Sequence, residues 1–234
     1  MEPILLFIHG AGGTHRVWEH QLEFFKNAIA IDLSGHWVGE GKRTIGEYVE
    51  EVKKFCDENG LKNIMMVGHS MGGAIAQKFA LDHPEYLRAI VLVCTGAKLR
   101  VNPIVFDKIE RNYDQAVELI TELAFSDKAP RENKKKAAEE MKKVNVKVTC
   151  RDFKACDKFN IMDKLKEIKV PTLIVCGLEN QLTPVKYSEY LKDNISNSKL
   201  ETIKDAGHMV MLEKPKEFNE RLEKFVSELR KQSL

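Results

Sequence analysis

Gly68-His69-Ser70-Met71-Gly72 joins a short apolar run to a helix-forming stretch, and that junction constrains the fold more than any other feature. Upstream, Ile64-Met65-Met66-Val67 is continuously apolar, as a strand buried on both faces requires. Downstream, Ala74 to Ala80 is helical in composition and stops before Pro84. A turn this sharp crowds backbone atoms, and Gly68 and Gly72 leave the space that side chains would fill. Ser70 is then expected at the strand-to-helix corner, its hydroxyl exposed and a helix N-terminus behind it. The five letters alone carry little, because small residues fill many turns. The strand before and the helix after make Ser70 a candidate nucleophile.

The rest of the chain alternates in the same way. Strands are expected at Ile4–His9, Ala28–Asp32, Asn63–His69, Ala89–Thr95, Thr172–Cys176 and Lys199–Ile203. Between them lie helical patterns. One opens at Thr44, with Glu47 three residues on as a capping box, and closes at Asn59-Gly60. The last begins near Pro215 and buries a stripe from Phe218 to Leu229. Such alternation predicts an α/β fold, a mostly parallel sheet of about six strands flanked by helices. It breaks between about Ala97 and Ile168, where only helical patterns occur: Ile104 to Phe125, Arg131 to Val144 and roughly Arg151 to Leu165. We therefore expect a core of residues 1–96 and 169–234 with a helical cap over 97–168. In an open α/β sheet ligands bind at the carboxyl ends of the strands, so such a cap would wall the pocket.

Composition excludes other classes. The 234 residues carry a net charge of +2, which gives no global attraction to nucleic acid or membrane. No apolar run approaches the roughly 20 residues that span a bilayer. The lysines at 134–136 and 142–143 are balanced by Glu132, Glu139 and Glu140, which reads as a solvated helix face. The five cysteines show no metal-ligand spacing, and their odd number without a signal peptide points to a reducing cytoplasm.

A serine hydroxyl needs a base within hydrogen-bond reach, a group that orients the base, and donors aimed at the developing oxyanion. His9-Gly10, Trp18, Asp32-Leu33-Ser34-Gly35-His36, the Ser70 turn and Ala206-Gly207-His208 follow one another in the order of the α/β-hydrolase family. The chain resembles the small cap-bearing branch with carboxylesterases, monoacylglycerol lipases and enol-lactonases. That resemblance covers nearly the whole chain and implies the α/β-hydrolase fold. It makes His208 the base and the Ala11 and Met71 N–H groups the oxyanion donors. Gly10, Trp37 and His69 are the candidate substrate-binding residues, with the His69 ring expected to face away from the nucleophile. No cofactor or metal is implied. The chain starts directly at the strand leading to the glycine loop, so six strands rather than eight are expected.

The acid departs from the family. Gly177-Leu178-Glu179-Asn180-Gln181-Leu182-Thr183-Pro184 matches the family's frame, but Asn180 stands where an aspartate is expected. Asparagine can orient an imidazole through its carbonyl, yet it cannot stabilise the imidazolium by charge. Several readings stay open: a silenced chain, a natural weak catalyst, an engineered variant, or Glu179 reaching in by a loop shift. Asp205 would need an unusual loop. The leading expectation is a serine hydrolase of carboxylic esters, a monomer or homodimer acting on a small-molecule ester. Lactone or carbon–carbon bond hydrolysis, cyanohydrin cleavage and a non-catalytic ligand-binding scaffold are the alternatives.

Overall fold

The computed structural model describes residues 3–231. The chain runs through β1 (Leu5–Ile8), α1 (Glu19–Phe24), β2 (Ala28–Ile31), α2 (Ile45–Glu58), β3 (Ile64–His69), α3 (Met71–Asp82) and β4 (Leu87–Val93). Four helices follow without a strand: α4 (Pro103–Arg111), α5 (Tyr113–Ala124), α6 (Arg131–Lys143) and α7 (Val146–Lys158). Strand–helix alternation resumes with β5 (Thr172–Gly177), α8 (Val185–Asn194), β6 (Ser198–Ile203), α9 (Val210–Glu213) and α10 (Pro215–Lys231). The six strands pair in the order β2-β1-β3-β4-β5-β6, every pair parallel. This is the α/β-hydrolase fold.

Period-2 alternation splits the strand side chains between two cores. Leu6, Ile8, Met66, Ile90 and Ile174 pack under α2, α3 and α8. Leu5, Phe7, Met65, Val91 and Val175 face Trp18 and the α10 residues Phe218, Leu222 and Phe225. A third, smaller core of Val105, Ile109, Val117, Ile120 and Met141 belongs to the inserted helices. The insertion is therefore packed within itself as well as against the sheet. The Thr44 hydroxyl accepts the Glu47 N–H at 3.2 Å, so α2 starts as its capping box predicts.

Two expectations are corrected. The pattern from Ile104 to Phe125 is two helices, because Asn112 takes an extended backbone and caps α5 by accepting the Gln115 N–H at 3.2 Å. The last of the four helices of the insertion, α7, starts at Val146, ahead of the expected Arg151, with Asn145 as its cap, and ends at Lys158 rather than Leu165. Its first turn is rich in β-branched residues of low helix propensity, and burial of Val148 and Thr149 outweighs that cost. Among the described residues no helix is long and apolar enough to cross a membrane.

Candidate active site

The order in which strands are added switches sides between β1 and β3, and the residues singled out by sequence lie at or past the carboxyl ends of the strands, those of β1, β3, β5 and β6 above all. Ser70 is the corner between β3 and α3, with φ 52° and ψ −113°, a backbone conformation that non-glycine residues rarely adopt. A Cβ on Gly68 would stand 2.1 Å from the Gly72 carbonyl oxygen, and one on Gly72 only 2.3 Å from that of Ile8. The two glycines let the turn close onto itself and onto β1. The Ser70 N–H donates to the Val93 carbonyl at 2.9 Å, and its carbonyl accepts the Thr95 hydroxyl at 2.8 Å. The backbone is thus fixed while the hydroxyl caps nothing. The Met71 N–H, in the first turn of α3, has no intrahelical partner. In the glycine loop after β1, Gly12 and Gly13 donate to Asp152 and to the Gly10 carbonyl, whereas the Ala11 N–H is left unused.

His208 follows β6 and is buried. Its own N–H donates to the Ala124 carbonyl at 2.7 Å, and the neighbouring Gly207 N–H to Glu213 Oε1 at 2.8 Å. Nδ1 lies 3.1 Å from Asn180 Oδ1 and 3.2 Å from Thr183 Oγ1. The surrounding bonds settle which way each group points. Asn180 Oδ1 accepts the Thr183 N–H at 3.0 Å, so the oxygen faces the ring. Thr183 Oγ1 sends its proton to the Cys94 carbonyl at 2.9 Å and accepts Asn180 Nδ2 at 2.8 Å, so it too is an acceptor toward the ring. With two acceptors on it, Nδ1 carries the proton and Nε2 is the free base. Burial, and secondarily the ring of His69, hold the His208 pKa well below the usual histidine range.

Asn180 is therefore the residue whose side-chain oxygen faces His208 Nδ1. Glu179 makes no hydrogen bond to His208, and Asp205 is paired with Lys128 at the surface. His69 turns away from the nucleophile: its Nε2 donates to the His208 carbonyl at 3.0 Å, and burial lowers its pKa to about 4. His9 donates from Nδ1 to the Gly10 carbonyl at 2.8 Å and accepts the Leu33 N–H on Nε2, a support for the glycine loop. Trp37 does not reach the site. His36 is the inward residue of that loop, which leaves Trp37 at the outer tip, 66% exposed. Sequence reasoning missed Thr183, Glu213 and Asp152. Only Thr183 left a local signal, an Asx-type turn three residues past Asn180.

Ser70, His208, Gly10, Ala11 and His69 line one cavity of about 430 Å³. Its walls are apolar, from Val17, Ile120, Phe125, Phe153, Leu182 and Met209, while Arg16, Glu19 and Lys136 also border it. The inserted helices and the turn after α5 contribute Phe153 and Phe125 to it. Met71 is packed in the core, and Met162 and Phe106 lie outside the cavity. Among the described residues no three His, Cys, Asp or Glu side chains gather as a metal ion would require.

Residues 5–221 match the alpha/beta hydrolase family. The chain belongs to that family. A solved thermophilic esterase is 36% identical, with a TM-score of 0.87, covering 97% of this chain and 91% of its own. Est816, described as an N-acyl homoserine lactone degrading enzyme, is 30% identical with a TM-score of 0.84, covering 94% of this chain and 92% of its own. Protein ABHD8 of Mus musculus is 24% identical over 96% of this chain, which spans only 55% of that relative's length.

Proposed function

We propose that this chain is a serine hydrolase that cleaves carboxylic esters through an acyl-enzyme on Ser70. The observation that carries the reading is the pair of acceptors at His208 Nδ1: with Asn180 Oδ1 at 3.1 Å and Thr183 Oγ1 at 3.2 Å, the proton belongs on Nδ1 and the basic Nε2 is the nitrogen left for the cavity that Ser70 lines. In the first step Ser70 Oγ bonds to the ester carbonyl carbon and its proton passes to Nε2. The carbonyl oxygen becomes an oxyanion, and the unused N–H groups of Ala11 and Met71 are the donors for it. Collapse breaks the carbon–oxygen bond to the alcohol, which leaves with the proton from Nε2. Water repeats the cycle and releases the acid. The family membership, the 36%-identical esterase and the 30%-identical lactone-degrading enzyme support the reaction class. The largely apolar walls suit short to medium acyl chains or aryl esters.

Two tests decide it. A fluorophosphonate should label Ser70 stoichiometrically, and Ser70→Ala should abolish both labelling and hydrolysis of a para-nitrophenyl ester. Absence of labelling beside a fully labelled control esterase would refute the nucleophile.

A further inference from the structure

Asp152 lies in the middle of α7, fully buried, and the chemistry above does not use it. Its carboxylate is surrounded by donors from three separate elements. Oδ2 accepts the Gly12 N–H at 2.9 Å and sits 2.7 Å from His36 Nε2. Oδ1 accepts the Tyr48 hydroxyl at 2.6 Å, and the Tyr48 oxygen is itself an acceptor for the Lys42 N–H at 3.1 Å. His36 Nδ1 faces the Leu33 carbonyl at 3.0 Å and can only donate there. The shared proton between His36 and Asp152 therefore chooses between an ion pair and a neutral pair. Burial opposes the charged ring, but the hydrogen bond and charge of Asp152 outweigh it and raise the His36 pKa, so the proton favours His36.

Gly12 is where the insertion meets the oxyanion loop. It has φ +63°, and a Cβ there would stand 2.7 Å from Met141 Cε and 3.1 Å from Thr149 Cγ2. α6 and α7 thus press directly on the residue that follows Ala11. The histidine side is tied in parallel, because the Ala124 carbonyl at the end of α5 takes the N–H groups of both His208 and Met209. The insertion carries hydrogen-bond acceptors for both loops of the site.

We propose that Asp152, charged and paired with His36, is a positioning residue for ester cleavage: it fixes the Gly12 peptide and so aims the Ala11 N–H at the oxyanion. This rests on the hydrolase reading above. The other titratable groups facing the pair are His9 at the end of β1, whose ring is 4.4 Å from that of His36, Tyr48 from α2, and Tyr113 and Cys156 from α5 and α7. Burial keeps His9 neutral, with a pKa lowered to about 3, so it does not compete for the proton. Asparagine at 152 would present an N–H₂ on one side, and at least one of the three donors would lose its acceptor.

The test counts active sites by fluorophosphonate labelling and measures kcat and KM per labelled site. Asp152→Asn should lower kcat about 10- to 100-fold with KM within about twofold, the signature of a lost transition-state interaction. A trifluoromethyl ketone, whose adduct with Ser70 carries an oxyanion, should bind more weakly by the same factor. Asn145→Ala, which removes the α7 cap but leaves the carboxylate alone, should lower the thermal midpoint while kcat per site stays within about twofold. An Asp152→Asn protein that melts earlier yet turns over normally per labelled site would reduce Asp152 to a scaffold role and overturn the proposal. Two measurements on the unaltered protein stand even if the variant does not fold. Ring ¹⁵N shifts should show the His36 imidazolium persisting to higher pH than that of a free histidine, and the Gly12 amide should exchange as slowly as core strand amides. A His36 ring that is neutral where free histidine is charged, or a fast Gly12 amide, would overturn the clamp. If the unaltered protein neither labels nor cleaves esters, the hydrolase reading fails, and these two measurements alone judge the clamp.

Discussion

At residue scale the telling group is Asn180. It delivers the geometry of the missing carboxylate without its charge. In the mechanism proposed above, proton transfer from Ser70 creates an imidazolium beside His69 in a buried site, with a neutral amide and a hydroxyl as its Nδ1 partners among the described residues. Asn180→Asp should raise kcat, by about 10² and bounded by the roughly 10⁴ that the reverse exchange costs a serine protease. Thr183 can accommodate the change by swinging its proton from the Cys94 carbonyl to the new carboxylate oxygen. The pH profile supplies a second sign. In the unaltered protein the His208 pKa is depressed, so the rate should hold steady through pH 6 and fall only well below it. A carboxylate at 180 raises that pKa and moves the falling limb toward neutrality. Glu179→Gln should change neither kcat nor the profile. An inert Asn180→Asp protein would favour the ligand-binding scaffold instead. The place of Ser70 at the strand–helix corner and that of Asn180 beside His208 were legible because each sits in a short local pattern. Asp152 was not, since its partner Gly12 lies 140 residues away and an aspartate in a helix carries no mark of what it meets.

At the scale of elements, the sheet was legible and the insertion less so. Continuous apolar runs such as Ile64 to Val67 locate buried parallel strands to within one or two residues. Helix ends in the insertion depended on single asparagines. An asparagine inside a helix costs only about 0.7 kcal/mol, so Asn112 did not interrupt the amphipathic pattern that spans α4 and α5. In the structure it does two jobs: its N–H closes α4 on the Lys108 carbonyl at 2.8 Å and its side chain opens α5. Asn112→Ala should therefore cost about 1 kcal/mol and lower the thermal midpoint by about 2–4 °C. The cavity wall supplied by Ile120 lies two turns further along α5, so kcat should be unaffected. A calorimetric scan checks the first expectation and ester turnover the second. A midpoint equal to that of the unaltered chain would mean that water replaces the cap without cost.

For the molecule as a whole, the site draws four loops from the carboxyl edge of one sheet and closes them with helices inserted between β4 and β5. Gathering them there buries histidines, and burial decides how the fold answers to acid. His9, His69 and His208 are all held neutral, with pKa values lowered to about 3, to about 4, and well below the usual range. In the unfolded chain each takes a proton near pH 6.5. Below that pH the unfolded state binds up to three more protons than the native state, so stability falls as pH falls. The slope is about 4 kcal/mol per pH unit until the native-state pKa values are reached. His36 acts in the opposite sense: burial lowers its pKa, but Asp152 and backbone carbonyls outweigh burial and raise it overall, so its contribution is complete below pH 6.5 and fades as pH rises through the native value. Exposed carboxylates with lowered pKa values, such as Asp57, take protons only below this window. Against a typical stability of about 5–15 kcal/mol, acid unfolding is expected between about pH 5 and pH 4. Far-UV circular dichroism from pH 7 to pH 3 measures it. A native spectrum retained at pH 3.5 would mean that the folded protein accommodates these protons, and that the loops around His208 open to water without the sheet coming apart.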